Sequence, residues 1–246
     1  MHKASVIHAV TRLISSLEIE LEGKGVGIEI SEDFPELERV CHSIEGRKQI
    51  SEPFSSKYYD IMPRNGFWVR GFNTKGETVA TQVMRLSELG ETTLASYWQQ
   101  HLKRLHGGKL KESSSPAAQR IKGRVIFHGD VWVDKSCARK NLAGLMSRIA
   151  LSTALLKWMP DYVYGFMDER LCLSGFALKE GYFHCEPVGS HWAEQPREIN
   201  PNDWLVWMDR LDLEYLATQK MISSPSHSQS HFLPPESDKA TTSVHS

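Results

Sequence analysis

The chain has 246 residues, of which 40% are hydrophobic and 24% are charged, and its formal net charge is −1. This length allows one sizeable domain or two small ones. The near-zero charge excludes a global electrostatic attraction to nucleic acid or to an anionic membrane as the main basis of partner binding.

Cysteine usage and hydropathy further restrict the class of protein to which the chain can belong. The four cysteines are far apart and form no Cys-x-x-Cys pair, so neither a zinc ribbon nor a disulfide framework is indicated. The N-terminus lacks the apolar core and cleavage site of a secretory signal, and no apolar run approaches the length of a membrane span. We therefore expect a cytoplasmic protein with no nucleic-acid partner, no membrane span and no metal.

The first predicted element is an amphipathic helix within residues 1–22. Between residues 3 and 18, apolar side chains recur at helical spacing. The apolar face needs a partner, which is the domain itself, a second copy in a homodimer, or a membrane surface.

Residues 26–85 predict a strand, a helix, an irregular segment and a hairpin. Residues 26–30 alternate as a strand does, and residues 31–44 place apolar side chains at helical spacing. The segment 51–65 is irregular and is a plausible pocket wall. Two β-rich runs, 67–72 and 78–85, flank a short turn with a glycine and predict a hairpin.

An insertion, 86–119, separates this hairpin from the next strand. Its first part predicts a helix that ends near 107–108, and a polar loop with three consecutive serines follows. Such long loops are uncommon in compact domains unless they are lids or disordered. The insertion is either a cover for a substrate pocket or packing decoration.

The C-terminal half begins with the most informative pattern in the chain. Residues 124–133 alternate as a strand, 134–138 break it, and 142–158 predict an amphipathic helix with Leu142, Leu145, Met146, Ile149 and Leu156 on one face. A strand over 162–167, a short helix that ends near 182, a last strand over 204–209 and a terminal helix over 211–221 follow. We predict one domain over 23–222 and a disordered tail over 223–246, which is rich in Ser, Pro and His.

The junction between the strand and the helix at 142–158 is a candidate phosphate site. The first N–H groups of a helix are unpaired and attract anions. Ala143 and Gly144 are small enough for a ligand to approach, and Arg139 and Lys140 add positive charge. The alternative is an ordinary connection whose basic residues are solvated.

Candidate proton-transfer residues lie in the preceding strand. His128 and Asp130 are two positions apart, so we predict that they share one face of the strand, with Gly129 easing a bulge between them. A His beside a carboxylate is a good general base near pH 7. The alternative is a His128 that is an ordinary core or surface residue. Trp132, predicted on the same face, either lines a substrate channel or fills the core.

Other residues are weaker candidates. Asp168 and Glu169 end the next strand and are alternative bases, partners of a cationic acceptor, or simple helix-start stabilisers. Tyr182, Tyr164 and Cys172 are the alternatives for an acid, and sequence alone does not choose among them. His184, Cys185 and His191 are residue types that bind metal ions, but their spacing matches no known set of metal ligands.

Residues 120–186 resemble the core of the GNAT acyltransferases. That family's signature is Arg or Gln, two residues, Gly, one residue, then Gly or Ala, just after the fourth strand. Arg139 and Gly144 match the first and last places, and Leu142 replaces the middle glycine.

The segment that follows is also similar to that family. Residues 178–182 resemble its Tyr-x-x-x-Gly-Phe ending. Tyr182 stands where Phe is usual, and Ala177 stands where the family often has a tyrosine general acid. Tyr182 is the residue that we name for the acid, with Tyr164 and Cys172 left open as alternatives.

The resemblance implies an α/β (α+β) fold with a mixed, mostly antiparallel central sheet and helices on both faces. It implies an N-acyltransferase that moves an acyl group from acetyl-CoA, a longer acyl-CoA or an acyl carrier protein to a small-molecule or peptide amine. It also implies a set of cofactor-binding residues along the strand and the helix start: Val131, Trp132, Val133, Arg139, Lys140, Asn141, Leu142, Ala143 and Gly144.

Two alternatives remain within this resemblance. Leu142 and Ala177 are what a GNAT-fold module without catalysis would have, and such a module would bind CoA or a protein. Acyl-homoserine lactone synthases share the core and carry long extra segments, but the sequence lacks their charged N-terminal motif.

Overall fold

The computed structural model describes residues 3–47, 49–106, 115–187 and 203–219, with backbone only for 102–106. No helix in these residues is long and apolar enough to cross a membrane. The predicted disordered tail, 223–246, and residues 109–114 of the polar loop predicted over 109–118 lie outside the described residues.

The described residues form seven strands and seven α-helices. The strands are β1 Val26–Ser31, β2 Gly66–Asn73, β3 Thr78–Gly90, β4 Gly123–Val133, β5 Tyr162–Asp168, β6 His184–Glu186 and β7 Asp203–Asp209. The helices are α1 Lys3–Glu22, α2 Phe34–Ser43, α3 Leu94–His106, α4 Leu142–Trp158, α5 Glu169–Leu173, α6 Phe176–Glu180 and α7 Arg210–Thr218.

The strands form one sheet in the order β1-β2-β3-β4-β5-β7-β6. Only β4 and β5 are parallel neighbours, and every other pair is antiparallel. Helices pack on both faces of the sheet. The predicted fold class, a mixed and mostly antiparallel sheet between helices, is confirmed.

The largest core cluster lies on the face of the sheet that carries α4, here called the α4 face. α1 packs on α4 through a buried row at helical spacing, which includes Val6, Val10, Leu13 and Leu17. The apolar face of α1 is therefore covered by the domain, and its exposed positions include Ile7 and Ile19.

α4 is buried on nearly all sides, which corrects the one-faced amphipathic helix predicted from the sequence. It contacts the sheet, α1, α6 and α7, so apolar or small residues occur around its whole circumference. Leu156, predicted to face inward, is 38% exposed. The long helix is thus the centre of this half of the domain.

The opposite face of the sheet, here called the α2 face, carries two smaller clusters. One lies under α2 and contains Phe54, Trp68 and Val83. The other lies under α3 and contains Trp98, Val125 and Tyr164. The described part of the insertion over 86–119 therefore continues β3 to Gly90 and packs α3 on the sheet.

One strand was missed from the sequence. No element was predicted over residues 184–186, but they form β6, which pairs with β7 at the edge of the sheet. Three residues give no periodicity to detect, so the pairing with β7 defines this strand.

Candidate functional site

The parallel strands β4 and β5 separate in the middle of the sheet. β4 pairs with β5 only through Val125–Phe127, although β4 continues to Val133. β5 remains paired with β7 along Tyr162–Asp168. Within the described residues, the edge of β4 over 128–133 therefore has no strand beside it on the β5 side.

A cavity of about 650 Å³ occupies the gap between these strands. It reaches both faces of the sheet, because its walls include His128 and Tyr182 on the α4 face and Phe54 and Phe127 on the α2 face. Ser51, Pro53 and Phe54 contribute to the wall, so the predicted role of 51–65 as a pocket wall is met by the geometry. The cavity is also lined by Gly129, Asp130, Val131, Val133, Ala138, Asn141, Leu142, Ala143, Gly165, Phe166, Met167, Asp168, Leu171, Phe176, Glu180, Asp203 and Val206.

A β-bulge interrupts β4 at the edge of the cavity. Gly129 pairs with Val83 and Trp132 pairs with Thr81, so β4 has one more residue than β3 between these pairs. Asp130 adopts the left-handed conformation with φ 49°. A Cβ on Gly129 would lie 2.8 Å from the Phe54 ring, so glycine is needed for this close approach. The bulge predicted beside Gly129 is present.

The bulge corrects the prediction that His128 and Asp130 share one face. An extra residue reverses the alternation of side chains. The carboxylate of Asp130 turns to the α2 face, where it accepts the backbone N–H of Ser51 at 3.1 Å. Burial raises the pKa of Asp130, and the Ser51 hydrogen bonds and Arg47 oppose that shift.

The same reversal places Trp132 away from His128. Trp132 pairs with Thr81, and its ring lies 5.2 Å from the guanidinium carbon of Arg47 on the α2 side. The predicted common face of Trp132 and His128 is therefore wrong. Of the strand residues in the predicted cofactor-binding set, Val131 and Val133 line the cavity.

His128 is the centre of a buried polar network. Its Nε2 lies 3.1 Å from Oε1 of Gln82, and its Nδ1 lies 2.8 Å from the hydroxyl of Tyr182. Gln82 donates its amide N–H to the carbonyl of Ala143 at 2.9 Å, so Oε1 is the acceptor for His128 and for Ser147. It follows that Nε2 of His128 carries the proton and that Nδ1 accepts the Tyr182 hydroxyl.

This environment makes His128 a weak base. Burial lowers the pKa of His128 to about 3, and both ring nitrogens already have hydrogen-bond partners. Burial, with the nearby Glu180 charge, also raises the pKa of Tyr182. The ring of Tyr182 forms part of the cavity wall, and its proton is directed at His128.

The start of α4 presents free amides, as predicted. Asn141 precedes the helix with φ 56° and makes no side-chain cap. Within the described residues, no acceptor bonds the backbone N–H groups of Asn141, Leu142, Ala143 and Gly144. The first three of these residues line the cavity, so the positive end of the helix is adjacent to it.

Three residues of the predicted phosphate site do not line the cavity. A Cβ on Gly144 would lie 2.8 Å from the carbonyl oxygen of Lys179, so this glycine allows α4 and α6 to pack closely rather than admitting a ligand. Lys140 donates to the carbonyl of Lys24 at 3.2 Å, and Arg139 is exposed in the turn before α4.

Glu180 is the site residue that the sequence reasoning missed. It lines the cavity from α6, it is 3% exposed, and its carboxylate has no partner among the described residues. Burial raises the pKa of Glu180 to about 7. α6 has only five residues, so no periodic pattern in the sequence marked Glu180 as an inward position.

Comparisons with known proteins find similarity only among solved structures. No family model matches the chain, and no curated protein matches it. A GNAT-family acetyltransferase from Streptococcus pneumoniae is 12% identical, with a TM-score of 0.43 over 75% of this chain and 99% of that one. FeeM, an N-acyl amino acid synthase from uncultured soil microbes, is 14% identical, with a TM-score of 0.43 over 76% and 92%.

A spermidine N-acetyltransferase SpeG chimera from Vibrio cholerae and hSSAT is 8% identical, with a TM-score of 0.46 over 77% of this chain and 98% of that one. These values are low, and the fold is defined by the topology of the chain itself. In its strand order, its parallel pair that separates beyond Phe127, its bulged β4 and the long helix after it, the chain resembles the GNAT fold.

Proposed function

We propose that the protein is an N-acyltransferase that takes an acyl group from acyl-CoA, or from an acyl carrier protein, to an amine. The observation that carries this proposal is the continuity of one cavity. The same space runs along the free edge of β4 and reaches the unbonded amides at the start of α4. A pantetheine arm with a diphosphate needs backbone groups along its length and an anion site at one end.

The free edge of β4 supplies the backbone groups. Strand N–H and C=O groups without a neighbouring strand are available to the amides of a pantetheine arm. In this proposal, residues 131–133 bind the arm and one strand N–H polarises the thioester carbonyl. A preorganised donor of this kind typically contributes about 3 kcal/mol to transition-state stabilisation.

The start of α4 supplies the anion site. The amides over 141–144 and the helix dipole favour a phosphate oxygen. Arg139 and Lys140, exposed in the turn just before α4, add positive charge at the mouth. Leu142, which replaces a glycine of the family signature, is buried, and it leaves its backbone N–H unbonded.

Proton transfer belongs to Glu180 in this proposal, and not to the predicted pair of His128 and Asp130. The nitrogen of a neutral amine attacks the thioester carbon, so the C–N bond forms and the C–S bond breaks. The Glu180 carboxylate takes the proton that the nitrogen loses, and the protonated Glu180 gives it to the departing thiolate. A base with a pKa near the working pH is most effective in such a step, and burial raises the pKa of Glu180 to about 7.

His128 and Tyr182 have a positioning role in this scheme. Their hydrogen bond fixes the Tyr182 ring in the cavity wall, and Gln82 connects His128 to the carbonyl of Ala143 at the start of α4. This buried network therefore holds β3, β4 and α4 in register around the cavity.

The test is to measure binding and turnover separately. Acetyl-, octanoyl- and palmitoyl-CoA are titrated calorimetrically, and thiol release is then followed with a broad panel of amines. The proposal predicts binding of at least one acyl-CoA and amine-dependent thiol release. Absence of binding across the three thioesters would contradict the acyl-CoA form of the proposal.

One observation favours a second candidate, a module that binds CoA without catalysis. Ala177 supplies no hydroxyl, and the Tyr182 proton is already bonded to His128. This candidate predicts calorimetric binding with no amine-dependent thiol release for any member of the panel, which is the outcome that separates the two.

A further inference from the structure

A buried arginine lies on the α2 face of the sheet, outside the cavity described above. Arg85 of β3 is two residues beyond Val83, on the same face, and is 6% exposed. One of its terminal nitrogens donates to the hydroxyl of Ser87 at 3.2 Å. Its guanidinium carbon lies 4.0 Å from the centre of the Tyr59 ring.

No carboxylate of the described residues balances the charge of Arg85. No carboxylate among the described residues lies within ion-pair distance of it, and its Nε is buried without a hydrogen-bond acceptor. Burying an unpaired charge is costly, so buried charges in native proteins are normally paired. A guanidinium with an unused N–H is therefore ready for an external anion, and its fork of donors matches a carboxylate or a phosphate.

Arg85 lines a second cavity of about 550 Å³. Two further arginines in its wall already have partners, because Arg64 pairs with Asp60 at 3.1 Å and Arg124 lies 3.7 Å from Glu88. Of the three arginines, Arg85 is the one with an uncompensated charge. The remaining lining residues are Asn65, Leu86, Ser87 and Glu88, and the carboxylate of Glu88 is the one already paired with Arg124.

The position of Arg85 relates this second cavity to the first. Arg85 is directly opposite Phe127 in the β3–β4 ladder, and Phe127 lines the first cavity on the α2 face. Opposite residues in an antiparallel pair have Cβ atoms about 5 Å apart. Arg85 therefore lies beside the α2-face wall of the first cavity, although the two cavities share no lining residue, and the start of α4 lies on the other face.

We infer that the cavity at Arg85 binds an oxyanion, a carboxylate or a phosphate group. This inference rests on the proposed function in one respect, which is that the oxyanion is carried by the amine acceptor. The acceptor would then be an amino acid or a phosphorylated amine, with the acyl thioester approaching from the α4 side and the acceptor from the α2 side.

The experiment uses matched probes without any acyl thioester. Binding of phenylalanine is compared with binding of phenylalaninamide, and O-phosphoethanolamine is compared with ethanolamine, by calorimetry and by the shift of the unfolding temperature. We expect the anionic member of at least one pair to bind at least about tenfold more tightly, the scale of one hydrogen bond to a charged group. Which pair responds identifies the anion as carboxylate or phosphate.

Two variants test whether Arg85 is responsible. Arg85→Met removes the charge and keeps much of the volume, and Arg85→Lys keeps the charge without the planar fork. We expect the preference for the anionic probe to disappear in the Met variant and to be intermediate in the Lys variant. Arg39→Met, at an exposed position of α2, is the control and should retain the preference.

The stability of the free protein distinguishes binding from a structural role. Because the Met variant removes an unpaired buried charge, its unfolding temperature without probes should be no lower than that of the wild type. A lower unfolding temperature with an unchanged preference for the anionic probes would overturn the inference, and so would equal binding of both members of each pair. Since no thioester is present, this result is independent of acyl-CoA binding, which the Arg85 variants should retain.

Discussion

The hydroxyl of Tyr182 lies 2.8 Å from Nδ1 of His128, although the two residues are 54 positions apart in the chain. The contact joins the strand edge of the cavity to the segment after α6. It also means that the conspicuous histidine of β4 is held neutral inside the domain. The first two predictions follow from this buried region.

The stability of the protein should fall in acid because of His128. Its pKa is lowered to about 3 from the ordinary 6.5, so its contribution to stability is present above pH 6.5 and is lost as the pH falls towards 3. Each pH unit in this window costs up to about 1.4 kcal/mol. In urea denaturation, His128→Gln should be less stable than the wild type by about 1 to 3 kcal/mol at neutral pH, with a shallower loss in acid.

His8→Gln, at an exposed position of α1, is the matched control for this prediction. The stability of this variant should change with pH as that of the wild type does. If the stability of the His128 variant falls in acid as steeply as that of the wild type, the acid sensitivity does not come from this residue.

Glu180 should make the stability of the protein fall as the pH rises, which is the opposite of the effect of His128. Its folded pKa is raised from 4.5 to about 7, so its contribution is present below pH 4.5 and is lost as the pH rises through 7. Glu180→Gln should therefore be more stable than the wild type above pH 7, by about 3 kcal/mol on the scale of the shift. Chemical denaturation at pH 5 and pH 8 measures the difference in unfolding free energy between the variant and the wild type. If that difference is the same at both pH values, Glu180 is not a buried carboxyl with a raised pKa.

The same substitution tests the proton-transfer role. Glu180→Gln keeps the size of the side chain but removes the base, so turnover should fall by about 100- to 10,000-fold while acyl-CoA affinity is retained. The wild-type rate should rise with pH through an apparent pKa near 7, and the variant should lack that limb. Groups that could also shape this profile line the cavity or act on Glu180: His128, Asp130, Asp168, Cys172, Tyr182 and Asp203.

Glu22→Gln, at the exposed end of α1, serves as the control for turnover. Glu180→Asp should recover part of the rate because it restores a carboxylate. If the Gln variant retains full turnover with an unchanged pH profile, another group moves the proton.

Gly144→Ala should destabilise the protein without weakening CoA binding directly. Alanine favours a helix over glycine by about 1 kcal/mol, but its Cβ would lie 2.8 Å from the carbonyl oxygen of Lys179. Overpacking of this kind costs about 1 to 3 kcal/mol, so we expect a lower unfolding temperature. A stabilised variant with weaker CoA affinity would instead support the ligand-approach role first predicted for this glycine.

The regular elements of the fold could be predicted from local pattern. Alternation identified β4, and the apolar run ending before Pro160 identified α4, because both depend on neighbouring residues. The burial of α4 on all sides and the pairing of β6 could not be predicted, since they depend on which elements pack together.

The candidate site was predicted in outline and not in detail. The helix start at 142 was found because the physics of free amides is local. The placement of Asp130 on the α2 face depends on one extra residue in β4, which reverses every side chain beyond it. Glu180 was missed because α6 has five residues, too few for a periodic pattern to identify an inward position.

The central claim is that the space between β4 and β5 binds a pantetheine diphosphate whose phosphates lie at the start of α4. The most direct measurement is calorimetric titration of CoA and of pantetheine, which lacks the diphosphate, into the wild type and the Arg139→Ala, Lys140→Ala double variant. We predict that CoA binds more tightly than pantetheine and that the double variant loses about 1 to 3 kcal/mol of CoA affinity but none for pantetheine. No CoA binding, or equal affinities for CoA and pantetheine, would contradict the claim.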